Sequence, residues 1–232
     1  MNIIVTGASK GIGFAIAEVF AANGHNLYLT SKTAADLERA ATSLKQQYPN
    51  ITIAYHAADL SKKEEVDAFS TWCLQNAAPD ILVNNAGCFV PGKLQNEPSG
   101  QLEAQLNVNL FSAYHLTRAL LPSMIAAKSG HIFNICSIAS LHAYENGGAY
   151  SISKFALLGF SKNLRLELKD QGVKVTAVCP GAVYTNSWSG SGVDPKRIME
   201  SSDIAKMIYA ASQLSPQTVV EDIVMRPQLG DL

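Results

Sequence analysis

"IIVTGASKGIGFAIAEVF", residues 3–20, opens as an apolar run, breaks at Gly7, Gly11 and Gly13, and resumes with the apolar spacing of a helix. A strand that hands over to a helix through glycines presents the helix's unpaired N–H groups and the positive end of its dipole, and both suit a phosphate. Glycine lets the backbone turn sharply and approach an anion closely. The spacing is Gly7-x-x-x-Gly11-x-Gly13 and departs from the general G-x-G-x-x-G dinucleotide pattern. Taken alone, the turn specifies a tight βα connection and no particular ligand.

The rest of the chain repeats the alternation. Apolar β-type runs at 2–6, 26–30, 51–56, 80–84, 131–136, 173–179 and 219–225 are separated by helix-like segments near 12–23, 33–48, 61–77, 99–127, 149–170 and 201–213. Strands interleaved with helices predict a parallel sheet covered on both faces, here in one α/β domain over 1–232. Thr33 before Asp36 and Ser61 before Glu64 have capping-box spacing, and Gly24 stands where a left-handed helix cap is wanted. The stretch 184–202, rich in Gly and Ser with Pro195, has the composition of a loop.

Composition narrows the class. The 232 residues are 47% hydrophobic and 16% charged with a net charge of -1, which describes a soluble globular chain with no electrostatic reason to bind nucleic acid. Cys73, Cys88, Cys136 and Cys179 form no C-x-x-C pair and read as small apolar fillers; no histidine has metal-ligand spacing. The chain enters its first strand without a basic and apolar leader, and no apolar run reaches bilayer length, so a cytoplasmic location and no membrane partner are expected.

"TGASKGIG" at 6–13, "ADL" at 58–60, "NNAG" at 84–87, Asn109 in "NVNL", Ser137 in "NICSIAS", Tyr150-x-x-x-Lys154 in "AYSISK" and "PGAVYT" at 180–185 follow one another along essentially the whole chain. In order and spacing this set resembles the short-chain dehydrogenase/reductase family. The resemblance implies a Rossmann-type doubly wound parallel sheet of about seven strands, a nicotinamide dinucleotide at the sheet's carboxyl edge, and hydride transfer to or from a carbonyl carbon. It assigns Tyr150 as acid/base, Ser137 as a donor to the substrate oxygen, Lys154 as partner of both Tyr150 and the nicotinamide ribose, and Asn109 as holder of a proton-relay water. The residue types suit this chemistry. Tyrosine is a weak acid unassisted, ionising in water only near pH ~10; a neighbouring ammonium favours its phenolate, and a four-residue spacing puts both side chains on one helix face. "CS" at 136–137 and "AS" at 139–140 depart from the family's usual pattern without removing a reacting group.

The second strand, "NLYLTSK", ends without the acidic residue that would take the ribose hydroxyls of NAD; Ser31 and Lys32 stand there, and Lys10 lies inside the glycine turn. NADP(H) is therefore expected, with NADPH preferred over NADH by at least about tenfold, ~1.4 kcal/mol. The resemblance adds Gly7, Ser9, Gly11, Ile12 and Gly13 at the pyrophosphate. It places Asp59, Leu60, Asn85, Ala86 and Gly87 on the adenosine side, and Pro180, Gly181, Val183 and Thr185 at the carboxamide.

The family's substrate lid corresponds to 184–202, where Tyr184 and Trp188, with Leu141, Tyr144 and Phe89, would wall an apolar carbonyl compound. The C-terminal "VVEDIVMRPQLGDL" and the lid resemble sepiapterin reductase-type members, which places Asp231 as a pterin anchor. Family members commonly pair through two long helices, here 99–127 and 149–170, so a homodimer or homotetramer is implied; Leu110, Ala113, Leu157 and Phe160 suit either core or interface. A 3-oxoacyl-[acyl-carrier-protein] reductase would share every catalytic residue. A non-catalytic dinucleotide-binding redox sensor would have no use for the Ser-Tyr-Lys set.

Overall fold

In the computed structural model, which describes residues 1–185 and 192–232, each apolar run divides its residues between two cores. In β1 (Asn2–Thr6), Ile3 and Val5 join one core and Ile4 the other; β4 (Ile81–Asn84) does the same with Ile81 and Val83 against Leu82. A strand buried on both faces needs apolar residues at consecutive positions, which is why the runs lack polar alternation. The first core is roofed by α1 (Gly11–Ala22), α2 (Ala34–Gln47) and α7 (Ser201–Ser212). The second lies beneath α3 (Lys63–Asn76), α5 (Ser112–Ala127) and α6 (Gly148–Leu168).

Beside β1 and β4 stand β2 (Asn26–Thr30), β3 (Ile53–Tyr55), β5 (Gly130–Ile135), β6 (Val173–Pro180) and β9 (Asp222–Met225). These seven strands form one sheet in the order β3-β2-β1-β4-β5-β6-β9, all parallel. β1 pairs with β2 on one side and β4 on the other, so the direction of winding reverses there and a crevice opens at the carboxyl ends of the strands.

Local readings of the sequence are corrected at several points. Neither capping box forms. Thr33 precedes α2 without a side-chain cap, and Asp36 pairs with Arg39 instead. Ser61 lies ahead of α3, whose N-cap is Lys62, because its hydroxyl donates to Asp59 Oδ1 at 2.7 Å. Gly24 does take the left-handed conformation, φ +77, and its N–H returns to Ala21 O at 2.9 Å. The helix expected over 99–127 is α4 (Gln101–Leu106), a π-helical stretch Asn107–Phe111 and then α5. Among the described residues of and beside 184–202, β7 (Val183–Tyr184) pairs with β8 (Met199–Glu200), and a short turn covers Pro195–Arg197. Of the apolar residues suited to core or interface, Ala113 and Leu157 are core, and Leu110 and Phe160 are partly buried against it.

Among the described residues no helix is long and apolar enough to cross a membrane. His131 shows how the interior treats a histidine without a ligand. Its ring stacks on Phe133, and its Nε2 lies 2.8 Å from Thr176 Oγ1, which itself donates to Val220 O at 2.6 Å. Burial, reinforced by the Lys174 ammonium, pushes its pKa down to about 3.

Candidate active site

The three glycines do different things. Gly7 and Gly11 have φ of +64 and +59, a region other residues seldom enter. Gly13 is needed for space: a Cβ there would sit 2.3 Å from Gly7 O and 2.5 Å from Asn85 Nδ2. The turn is braced from β4 as well. Asn85 Nδ2 donates to Thr6 O at 2.8 Å and Gly7 O at 3.2 Å, while Thr6 Oγ1 accepts from the Asn85 and Ala86 amides at 2.9 and 2.8 Å. α1 therefore starts with Lys10 as an N-cap whose side chain caps nothing, beside a cavity of about 790 Å³. Gly7, Ser9, Lys10, Gly11 and Ile12 line one part of it; Ser137, Tyr150 and Lys154 line another.

Ser137 stands two residues beyond the end of β5 and caps a short turn, Ile138–Ser140. Its Oγ accepts from the Ala139 amide at 3.1 Å, and Ser140 Oγ accepts from the Ser137 amide at 3.1 Å. The serine at 140 thus completes a reciprocal cap that fixes the Ser137 rotamer, and Ser137 keeps its own O–H to donate. Nearly two turns into α6, Lys154 is 5% exposed and its Nζ donates to Ile135 O at 2.8 Å, standing 5.9 Å from the Tyr150 ring centroid. Phe89 meets the Tyr150 ring edge-on with centroids 4.7 Å apart.

Asn109, in the π-helical stretch, is 1% exposed. Its Oδ1 accepts from the Cys88 amide at 2.8 Å, and its Nδ2 donates to Cys88 O at 3.0 Å and Ser153 Oγ at 2.8 Å. Ser153 Oγ in turn donates to Tyr150 O at 2.7 Å. The asparagine therefore joins the loop after β4 to the helix of Tyr150. Cys88 is more than a core filler: half-buried, it also lines the cavity.

A family model described as short chain dehydrogenase matches residues 1–194. The chain belongs to the short-chain dehydrogenase family. It is 36% identical over 239 residues to sepiapterin reductase of Chlorobaculum tepidum, covering 99% of this chain and 97% of that protein. Among solved structures it is similar to a metagenomic short-chain oxidoreductase in complex with NADP (TM-score 0.84, 33% identity, 98% of this chain and 97% of that one). It is also similar to an alcohol dehydrogenase of Thermococcus sibiricus complexed with 5-hydroxy-NADP (TM-score 0.91, 28% identity, 100% and 98% covered).

In this short-chain dehydrogenase the cavity also takes in Ser31, Asn85, Gly87, Pro180, Gly181, Val183 and Thr185. Gly13 and Ala86 stand behind the lining, Gly13 as packing and Ala86 against the second core. Leu60 is buried in that core and lies outside the lining. Lys32 is an exposed side chain whose Nζ pairs with Asp59 Oδ2 at 2.9 Å. Burial pushes the Asp59 carboxyl up, but hydrogen bonds from Ser61 and Lys32 outweigh it and hold the pKa at about 2.

Of the residues expected at the substrate, Tyr144, Phe89 and Asp231 line the cavity, and His142 joins them. Leu141 packs against the cluster of Cys136 and Leu157, and Tyr184 is exposed on β7, outside the lining. Trp188 lies outside the described residues. Arg226, which carries no sequence signal, also lines the short-chain dehydrogenase's cavity and pairs with Asp231, while Arg197 clamps the Gly230 and Asp231 carbonyls at 2.9 and 3.0 Å.

Proposed function

We propose that this short-chain dehydrogenase is a carbonyl reductase that uses NADPH to reduce a ketone or aldehyde, with Tyr150 as the proton donor. The observation that carries the reading is that Ser137, Tyr150 and Lys154 share one cavity with an α-helix start that lacks a side-chain cap. The residues present fit the cofactor. Gly7, Gly11 and the first amides of α1 would hold its pyrophosphate. Lys10 and Ser31 line the cavity, Lys32 follows Ser31 with its ammonium on Asp59, and β2 itself ends without an acidic residue. NADP(H) is the cofactor; the solved relatives described above are complexed with NADP and with 5-hydroxy-NADP.

When bound there, the reduced nicotinamide would supply the hydride. Ser137 donates its O–H to the carbonyl oxygen and stabilises the charge that develops there. Tyr150 transfers its phenolic proton to that oxygen, and Lys154, held by Ile135 O, supplies a positive charge close to the phenol ring. Asn109 holds the Cys88 loop and the helix of Tyr150 in register. The full-length similarity to a sepiapterin reductase, together with Asp231 in the cavity wall, favours a pterin-like or diketone substrate. The four free cysteines agree with a reducing, cytoplasmic setting.

The test follows NADPH and NADH oxidation against diketones, aldehydes, a pterin and an acyl thioester. Turnover of the pterin or a diketone, with NADPH favoured at least about tenfold (~1.4 kcal/mol), is the expected result. Preference for the acyl thioester would replace the reading by a 3-oxoacyl reductase, and NADPH binding without any turnover would favour the redox sensor.

Phe111, Ile152 and Phe155 expose large apolar side chains on and beside the two long helices, which supports a homodimer or homotetramer built on that face. Sedimentation velocity at micromolar concentration is expected to show the assembly; a lone monomer would refute it.

A further inference from the structure

The helix that carries Tyr150 and Lys154 has no cap of its own. α6 begins at Gly148, its N-cap is Gly147, which has no side chain to offer, and its first turn contains no acidic residue. Such a start leaves N–H groups without partners and the positive end of the dipole uncompensated. The acceptor comes from a distant part of the chain: the Ala149 amide donates to Glu97 Oε1 at 2.8 Å. Glu97 follows the short turn Leu94–Asn96 in the connection between β4 and α4.

The fit around this bond is close. Gly148 has φ +40, and a Cβ on it would lie 2.1 Å from Glu97 Oε1 and 2.5 Å from Gly92 O. The Gly92 amide donates to Asn146 O at 2.9 Å, so the connection docks on the helix start from both sides of Gly148. Phe89, on the same connection, is the residue whose ring stands edge-on to Tyr150. Lys93 pairs with Glu145 at 3.5 Å, which leaves the Glu97 carboxylate to the helix. Glu97 does not line the cavity.

We propose that Glu97 is a positioning residue for the reaction. By accepting the Ala149 N–H it fixes where the helix of Tyr150 starts and fastens the Phe89 connection against it, so that the phenol, one residue along, is presented to the cavity in a single orientation. The inference rests on the reading of Tyr150 as proton donor.

Glutamine at 97 keeps an acceptor oxygen at the same reach, alanine removes it, and aspartate withdraws it by one methylene. In Glu97→Ala, hydrogen exchange at the Ala149 amide of the unliganded protein should accelerate at least about tenfold. Its kcat, measured on the best carbonyl compound of the panel, should fall about tenfold as a lost cap of ~1.4 kcal/mol would give, with the NADPH dissociation constant within about twofold of wild type. Glu97→Gln should restore both exchange and kcat. Wild-type kcat in Glu97→Ala, or a Glu97→Gln variant as impaired as Glu97→Ala, would overturn the proposal. If the alanine variant fails to fold, Glu97→Asp serves in its place, with accelerated exchange supporting the cap and wild-type exchange refuting it. Full turnover by Tyr150→Phe would refute the proton-donor reading itself, whatever the Glu97 variants do.

Discussion

Tyr150→Phe is expected to cut carbonyl reduction about 10³-fold, ~4 kcal/mol of transition-state stabilisation, while NADPH affinity and the unfolding temperature hold. The substitution removes one oxygen and leaves the ring that packs edge-on against Phe89. The Tyr150 carbonyl, which accepts from Ser153, is backbone and is unaffected. Lys154 keeps its bond to Ile135 O, so the ammonium stays where it is. What disappears is the proton source for the oxygen that gains negative charge as the hydride arrives. Steady-state kinetics beside a fluorescence titration of NADPH separates these effects. A variant that retains more than about a tenth of wild-type kcat would move the proton-donor role to another group in the cavity.

Gly13→Ala is expected to destabilise the fold by about 3–5 kcal/mol, lowering the unfolding temperature by roughly 10 °C, and to abolish NADPH binding. The new Cβ would meet Gly7 O and Gly7 C at 2.3 and 2.9 Å, and these are backbone atoms that cannot rotate away. Relief requires α1 to lift from the turn, which separates the helix start from Gly7 and moves Asn85, whose Nδ2 would lie 2.5 Å away. Gly24→Ala is the control. Gly24 also has a positive φ, +77, but nothing lies within 4 Å of an added Cβ. It should cost only about 1 kcal/mol and leave NADPH affinity unchanged. Equal losses from the two substitutions would mean that the contact between helix and turn is not what Gly13 protects.

The parts that were legible in the sequence are those with a local cause. β1, β2 and β4 read as strands because burial on both faces demands apolar residues in succession, and α1 reads as a helix because its apolar spacing resumes directly after the turn. The glycine turn and the Tyr150–Lys154 pair were legible because four-residue spacing on a helix and positive-φ turns leave marks in the chain itself. What could not be read depends on partners far away in sequence. Ser61 looks like a helix cap until Asp59 takes its hydroxyl, and no local pattern connects Glu97 with Ala149. The π-helical stretch at Asn107–Phe111 is hidden in a run whose apolar period stays helical on either side. Arg226 and Asp231 meet only because β9 carries the final residues back over the carboxyl ends of the strands.

The place of β1 in the sheet bears on how the protein comes to be folded. β1 meets β2 after a single short crossover, but its other edge waits for β4, with Ile3 paired to Ile81 across most of the first third of the chain. Closing so long a loop between parallel strands is entropically slow, and its return in contacts comes only when the strands meet. The crevice at the carboxyl ends of the strands, where the proposed cofactor site lies, is the gap created by that same pairing. A nascent or partly refolded chain that has built only β1, α1 and β2 already possesses the glycine turn but has nothing opposite it. Recognition of the dinucleotide would therefore come after β4 has joined β1, and the protein loaded with NADP(H) is expected to resist proteolysis better than the empty one.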